Sequence, residues 1–201
     1  MEYVLNKDTL INLPLFHFTG KIHFASTLKE SDSILSFLQD EQILGFDTET
    51  KPSFKKGEHH PIALLQLASQ DHVCLFAISK TGIPSRLKYI LQNEKILKIG
   101  QEPGYEINKL NEEHGVKVKG IIDLVSLAKQ WKCSPLNLKS LAAIFLKIRI
   151  SKSARTSNWE NPVLTRKQLL YAATDAWVCR QIYLEMLKLP SINPPSHQQK
   201  A

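Results

Sequence analysis

The sequence predicts an α/β domain with a mixed sheet, in which a three-strand antiparallel meander continues into parallel strands flanked by helices. Apolar runs at residues 43–50, 62–68 and 72–78 are separated by short polar segments, which is typical of consecutive antiparallel strands. After residue 78 helical patterns alternate with short strand patterns. This alternation indicates parallel strands joined by helices.

The segment before the meander contributes one strand and one helix. Residues 1–21 show no sustained hydrophobic period, and we expect an irregular arm there. Residues 22–25 fit a short strand. Thr27 and Glu30 then have the spacing of a capping box, which predicts a helix that begins after Thr27.

The elements after the meander follow in the order that an α/β domain requires. Thr165 and Gln168 form a second possible capping box, at the start of the longest predicted helix, which runs to Leu189 and is stopped by Pro190. We expect one domain at residues 22–189 and a disordered tail at residues 190–201. The remaining predicted elements are a helix at 84–92, a strand at 96–100, a helix at 105–114 ending at Gly115, a strand at 120–124 running into a helix through 131, and a helix at 138–145.

Charge and composition favour nucleic acid as the partner. The 201-residue chain has a formal net charge of +7, and clustered cations gain affinity for phosphates by releasing counterions. Membrane partners are disfavoured, because no apolar run approaches the roughly 18 residues that span a bilayer and no strongly amphipathic basic helix is found. The N-terminus lacks the order of a signal peptide, so we expect a cytoplasmic protein. No protein partner is indicated.

The three cysteines are far apart in the sequence and lie in apolar or amphipathic segments. This pattern predicts buried thiols rather than a disulfide framework or a zinc site.

Two carboxylates end the first strand of the meander. Asp47 and Glu49 are two residues apart, so their side chains project from the same face of a strand and can converge on one cation. Alone, such a pair is more often a solvated turn. In the last helix, Tyr171 and Asp175 are four residues apart on an apolar face. An acid on such a face is costly unless it is paired or binds a metal, which makes Asp175 a candidate for the same site.

Two basic loops are candidates for phosphate contacts. The loop that begins at Lys51 is rich in lysine and histidine, and the segment from 147 to 160 holds four cations before its first acid. Within the second segment, Lys152 and Arg155 offer charge and Trp159 offers a stacking surface for a base. Ordinary solvated loops would have a similar composition, so this reading depends on the rest of the site.

The motifs resemble those of the DEDDy 3′-5′ exonucleases, within the DnaQ-like and ribonuclease H-like superfamily, from about residue 22 to residue 188. Within this family the chain is most similar to ribonuclease D and the exonuclease domain of the Werner syndrome protein. The matching stretches are Phe-Asp-Thr-Glu-Thr at 46–50, Ile-Ala-Leu-Leu-Gln-Leu at 62–67, Ser-Asn-Trp-Glu at 157–160, Leu164, Thr165, Gln168 and Tyr-Ala-Ala-Thr-Asp-Ala at 171–176. The resemblance implies a ribonuclease H-like fold.

The middle motif departs from the family pattern. Family members have a glycine that closes a short strand and an aspartate six residues later, whereas Gly100 is followed at that spacing by Glu106. Glu102 is nearby, but assigning the role to it would shift the register against Gly100 and Leu110. We therefore expect Glu106 to take the place of the aspartate, with a side chain one methylene longer.

The resemblance implies a site for two divalent cations, Mg²⁺ or Mn²⁺. Asp47 would bridge both ions, Glu49 and Asp175 would complete the site of the water-activating ion, and Glu106 would serve mainly the second ion. Tyr171 would orient the attacking water. The expected substrate contacts are made by Thr48, Lys51, Lys152, Arg155 and Trp159.

The function implied by the resemblance is hydrolysis of phosphodiester bonds at single-stranded or recessed 3′ ends, with release of nucleoside 5′-monophosphates. A different class of function is a catalytically weak nucleic-acid-binding module with the same fold, because Glu106 replaces the aspartate. A third is a scaffold that recruits a protein partner through its basic surface. The sequence does not distinguish DNA from RNA, since that depends on contacts to the 2′-hydroxyl group.

Overall fold

The computed structural model describes residues 5, 7–55 and 57–189. The strands are β1 (Lys21–Ala25), β2 (Ile43–Thr50), β3 (Ile62–Ala68), β4 (His72–Phe76), β5 (Leu97–Gly100) and β6 (Ile121–Asp123). Within this part of the chain, these six strands form one sheet in the spatial order β1-β4-β3-β2-β5-β6.

The pairing confirms the predicted mixed sheet. Strands β2, β3 and β4 pair antiparallel in sequence, as a meander requires. Strand β5 pairs parallel to β2, and β6 pairs parallel to β5. At the opposite edge β1 pairs parallel to β4, so parallel strands lie on both sides of the meander.

Both predicted capping boxes are present. The side chains of Thr27 and Thr165 accept hydrogen bonds from the backbone N–H groups of Glu30 and Gln168, which fixes the starts of the two helices. Gly115 ends a third helix in the left-handed conformation, with a φ of 61°. The helices are α1 (Lys7–Asn12), α2 (Leu28–Ile34), α3 (Ile78–Thr81), α4 (Ser85–Gln92), α5 (Gly104–His114), α6 (Leu124–Gln130), α7 (Leu138–Leu146) and α8 (Arg166–Leu187), with a 3-10 helix at Leu35–Leu38.

The sheet separates two apolar layers because successive strand residues face opposite sides. Phe46 and Leu65 belong to the layer that packs against α2, the 3-10 helix and α4. Leu64 and Ala68 belong to the opposite layer, together with Ala172 and other alanines of α8. These small side chains let α8 lie close to the sheet.

The closest approach of α8 to the sheet is at Gly45 of β2. A Cβ atom at this position would lie 1.8 Å from the carbonyl oxygen of Ala176, so a hydrogen atom is all that fits. Gly45 lies two residues before Asp47 on the same face of β2. The backbone contact therefore fixes the height of α8 above the strand that carries the acid pair.

The structure differs from the predicted elements in the N-terminal arm and at the end of β4. The N-terminal arm is not wholly irregular, because α1 lies within it, and the backbone N–H of Phe16 donates a hydrogen bond to the carbonyl of Arg149. Strand β4 ends at Phe76, and Ile78 begins α3 instead of ending the strand. The tail predicted to be disordered, residues 190–201, lies outside the described residues.

One expectation from composition is confirmed. All three cysteines are buried free thiols, as their apolar surroundings predict. Among the described residues, every helix is too short or too polar to cross a bilayer.

Candidate active site

The acid pair of β2 meets the acid of α8. One carboxylate oxygen from each of Asp47, Glu49 and Asp175 lies within 4.8 Å of the others. Glu49 and Asp175 are 9% and 8% exposed, and Asp47 retains more exposure. The sequence separates these residues widely, and the contact between β2 and α8 brings them together. The structure thus places three of the four predicted metal ligands in one cluster.

Burial makes these carboxyls hold their protons tightly. Desolvation raises the pKa of Asp47 well above its ordinary value, and the carboxylate of Asp175 raises it further. Desolvation, followed by the charge of Asp47, raises the pKa of Glu49 to about 10. Desolvation also raises the pKa of Asp175 to about 7, with a partial offset from Tyr171 and Lys152. Without a cation, this cluster therefore disfavours full ionisation at neutral pH.

The donor set fits a hard divalent cation. Three carboxylates supply oxygen ligands and negative charge, which Mg²⁺ and Mn²⁺ prefer over nitrogen or sulfur ligands. The Oδ1 atom of Asp175 is buried and has no hydrogen-bond partner among the described residues. A buried carboxylate oxygen left without a partner is costly, and coordination of a cation would remove that cost.

Tyr171 lies one turn before Asp175 on α8 and borders the same cavity. Its pKa is raised, first by desolvation and then by the charges of Asp175 and Glu49, so the hydroxyl group keeps its proton at neutral pH. The ring of Trp159 lies beside it, with ring centroids 6.0 Å apart.

Trp159 does not have the exposed position that we expected. Its side chain is 3% exposed and belongs to the apolar layer beneath α8, together with Ala154 and Leu164. A base cannot stack on a ring that the protein already covers almost completely. The expectation of an exposed stacking surface is therefore corrected: Trp159 packs the loop that carries Lys152 and Arg155 against the apolar layer. The sequence did not reveal this burial because a loop has no hydrophobic periodicity.

Glu106 lies on α5 and borders the cavity, but it is not part of the cluster formed by Asp47, Glu49 and Asp175. Its Oε2 atom is buried without a hydrogen-bond partner among the described residues. Desolvation raises its pKa, and the charge of Glu102 adds to that effect. Glu102 precedes α5 with a φ of 50°, and its backbone N–H donates a 2.9 Å hydrogen bond to Oδ1 of Asp123.

A cavity of about 450 Å³ joins these groups. Of the residues expected to contact substrate, Thr48, Lys152 and Arg155 border it. The charge of Arg155 lowers the pKa of Glu49, so this cation lies near the carboxylates. Lys51 lies outside the cavity wall and instead faces Glu160, with Nζ 3.8 Å from Oε2.

The structure adds residues that the sequence reading missed. They come from the β5–α5 connection, from the start of α7 and from α8, and they are Gln101, Asn137, Leu138, Lys139 and Cys179. Gln101 connects two of these segments, because its Oε1 accepts a 3.3 Å hydrogen bond from the backbone N–H of Leu138. The sequence does show polar residues at the N-terminus of α7. This pattern did not indicate that the start of the helix borders the same cavity as the carboxylates.

Comparisons with known proteins agree with this architecture. The mouse protein named bifunctional 3′-5′ exonuclease/ATP-dependent helicase WRN is 34% identical over 188 residues, which cover 87% of this chain but 13% of that protein. An Arabidopsis thaliana protein named 3′-5′ exonuclease is 30% identical over 208 residues, covering 94% of this chain and 71% of the relative. The crystal structure of Escherichia coli ribonuclease D matches with a TM-score of 0.74 at 21% identity, over 83% of this chain and 44% of that chain.

The ribonuclease D match supports the predicted ribonuclease H-like fold. The chain spans a small part of the mouse relative and most of the Arabidopsis one. The model of a protein family described as 3′-5′ exonuclease matches residues 22–189, which include β1 to β6 and α8. The chain belongs to this 3′-5′ exonuclease family.

Proposed function

We propose that this chain is a metal-dependent exonuclease that hydrolyses phosphodiester bonds at nucleic-acid 3′ ends and releases nucleoside 5′-monophosphates. The observation that carries the proposal is the convergence of Asp47, Glu49 and Asp175 within 4.8 Å, in a chain of the exonuclease family. Direction and product rest on family membership, and the cation site rests on the geometry.

Asp47, Glu49 and Asp175 would hold the first divalent cation, and Glu106 with Asp47 would hold the second. Mg²⁺ and Mn²⁺ both suit these oxygen ligands. When bound, such cations activate a water molecule and stabilise the charge on the leaving 3′-oxygen. The buried oxygens of Asp175 and Glu106, which have no hydrogen-bond partner among the described residues, would serve as ligands for these cations.

Tyr171 is suited to orient a water molecule and unsuited to act as a base. Its raised pKa keeps the phenol protonated, so the hydroxyl group can hydrogen-bond a water beside Asp175 but does not take its proton. Lys152 and Arg155 border the same cavity and would hold the phosphate that is cleaved. Thr48 lies between the two acids of β2 and would contact the terminal nucleotide.

The substrate we propose is a single-stranded or recessed 3′ end. Lys152 and Arg155 border the cavity and are exposed, so they could meet the backbone of a strand that enters it. The alternative of a binding module without catalysis is not favoured, because three of the four ligands are already assembled.

The test is digestion of a 5′-labelled oligonucleotide with a recessed 3′ end in Mg²⁺, in Mn²⁺ and in EDTA. Wild-type protein should give a ladder of shortened products with either metal and no products in EDTA, and Asp47→Ala should give none. Glu106→Asp tests whether the longer side chain is a handicap: a much faster variant means that it is, and an equal or slower one means that the pocket is adapted to glutamate. If neither wild type nor Glu106→Asp forms a ladder, the enzyme proposal is wrong.

A further inference from the structure

Gln66, in the middle of β3, is a buried amide that has no hydrogen-bond partner in the described part of the chain. Its side chain is fully buried, with 0% exposure. Neither Nε2 nor Oε1 has a hydrogen-bond partner among the described residues. Folding removes the hydrogen bonds of this amide to water without replacing them, which lowers the stability of the folded protein. An apolar side chain of similar size would therefore suit the folded, metal-free protein better.

The register of the sheet places this amide beside the catalytic acids. Gln66 is directly opposite Asp47 in the antiparallel pair of β3 and β2. Side chains directly opposite one another share a face of the sheet and have Cβ atoms about 5 Å apart. The face is the one beneath α8, because Leu64 and Ala68, two residues away on either side, pack with the alanines of that helix.

The neighbouring strand β4 and the alanines of α8 provide no side-chain hydrogen-bond partner for the amide. On its second side Gln66 is opposite Leu75 of β4, an apolar residue. Above it lie the alanines of α8, including Ala172 and Ala176, whose side chains carry no polar atoms. Asp47 is thus the polar side chain that the sheet register brings next to Gln66.

We propose that Gln66 is a positioning residue for Asp47: its Nε2 amide group donates a hydrogen bond to the Asp47 carboxylate when that carboxylate coordinates a cation. The inference rests on the proposed function, because it requires Asp47 to be a metal ligand. A donor on one carboxylate oxygen orients the group and directs the other oxygen to the cation. Groups that orient metal ligands in this way typically change metal affinity or activity by about 10- to 100-fold when they are lost.

The test compares Gln66→Met with a matched control, Leu65→Met. Both are on β3 and fully buried, but Leu65 faces the opposite layer. Mn²⁺ binding is measured by the electron paramagnetic resonance signal of free Mn²⁺, and the unfolding temperature of the metal-free protein is measured in parallel. We expect Gln66→Met to bind Mn²⁺ about 10- to 100-fold more weakly than wild type, with an unfolding temperature that is unchanged or higher. Leu65→Met should keep wild-type affinity.

Wild-type Mn²⁺ affinity in Gln66→Met would overturn the inference and leave the proposed function intact. If the wild-type protein itself binds no Mn²⁺, the proposed function fails and the inference fails with it. If Gln66→Met loses both stability and affinity, Gln66→Asn decides, because it retains an amide donor. Recovery of Mn²⁺ affinity in Gln66→Asn supports positioning, and the absence of any recovery assigns Gln66 a structural role.

Discussion

Asp47, Glu49 and Asp175 lie where the central strand β2 meets the long helix α8, whereas Glu106 lies on α5 and borders the same cavity. Helix α8 is buried along much of its length and contacts five of the strands. In helix α5, by contrast, Leu110 is the one described residue that is buried. One half of the site is therefore held by the core, and the other by a surface helix.

This difference indicates where the site can tolerate change. The spacing of Asp47 and Asp175 depends on a backbone contact at Gly45, which permits no adjustment. Glu106 reaches the cavity from the first turn of α5, next to Glu102 and its connection to Asp123. A longer side chain can be accommodated there by a small shift of a surface helix. We infer that the substitution of glutamate for aspartate occurs in the half of the site that can adapt.

The largest expected effect separates the two halves by activity. Asp47→Asn should lower exonuclease activity by roughly 1,000-fold or more, because it removes the charge that both proposed cation positions would share. Glu106→Gln should lower it by about 10- to 100-fold and be partly rescued by a higher Mn²⁺ concentration. Initial rates of ladder formation across a metal titration measure both. Equal losses, without rescue of Glu106→Gln, would contradict the proposed asymmetry.

The next effect separates the halves by packing. Gly45→Ala should destabilise the protein by about 3 kcal/mol, because the added methyl group collides with the carbonyl of Ala176. Gly104→Ala, at the start of α5, is the matched control, since a Cβ there has no described atom within 4 Å. It should be neutral or stabilising by about 0.5 kcal/mol. Urea unfolding of both variants gives the comparison, and similar losses would mean that α5 is as constrained as α8.

A smaller effect concerns pH. The pKa of Glu49 is raised from 4.5 to about 10 in the folded protein, so the folded state retains a proton that the unfolded state has lost. This contribution to stability is complete below pH 4.5 and is lost as pH rises toward 10. The free energy of unfolding of metal-free protein should fall by up to about 1.4 kcal/mol per pH unit for this carboxyl.

Glu49→Gln should flatten this dependence between pH 5 and 9, which urea unfolding in EDTA at several pH values would measure. Glu106→Gln is the comparison from the other half of the site and should flatten it less. Parallel curves for wild type and Glu49→Gln would show that Glu49 is ionised in the folded protein.

The smallest effect concerns the phosphate contacts. Arg155→Ala and Lys152→Ala should each raise KM a few-fold. Each lost phosphate contact should also reduce the magnitude of the slope of log binding constant against log salt concentration by about 0.7 for a single strand. Lys95→Ala removes an exposed cation at a distance from the cavity and should change neither quantity. Fluorescence anisotropy with a labelled oligonucleotide at several salt concentrations provides the measurement. Equal changes in KM and salt dependence for Lys95→Ala would show that the effect of Lys152 and Arg155 comes only from the net charge of the protein.

The elements and acids with regular periodicity were predictable from the sequence. The positions of Asp47 and Glu49 follow from strand alternation, and those of Tyr171 and Asp175 follow from helical spacing, because each pattern is local. The capping boxes located two helix starts for the same reason. What the sequence could not supply was the register between elements.

Residues in loops and between elements show the limit. Burial of Trp159 depends on which layer its loop packs against, and loops have no period that reveals this. The pairing of Lys51 with Glu160 joins two loops that local patterns cannot relate. Gln66 and Asp47 face each other through a pairing register, and the sequence reading did not establish that register.

The dependence of the cluster on α8 also sets an order in time. Asp47 and Glu49 emerge from the ribosome early, but their partner Asp175 belongs to the last helix of the domain. A growing chain, or one truncated before α8, therefore carries two of the three clustered acids but not the assembled cluster. Under the proposed function, binding of a cation would report that the whole domain has folded, and a fragment that lacks α8 would not cleave nucleic acid.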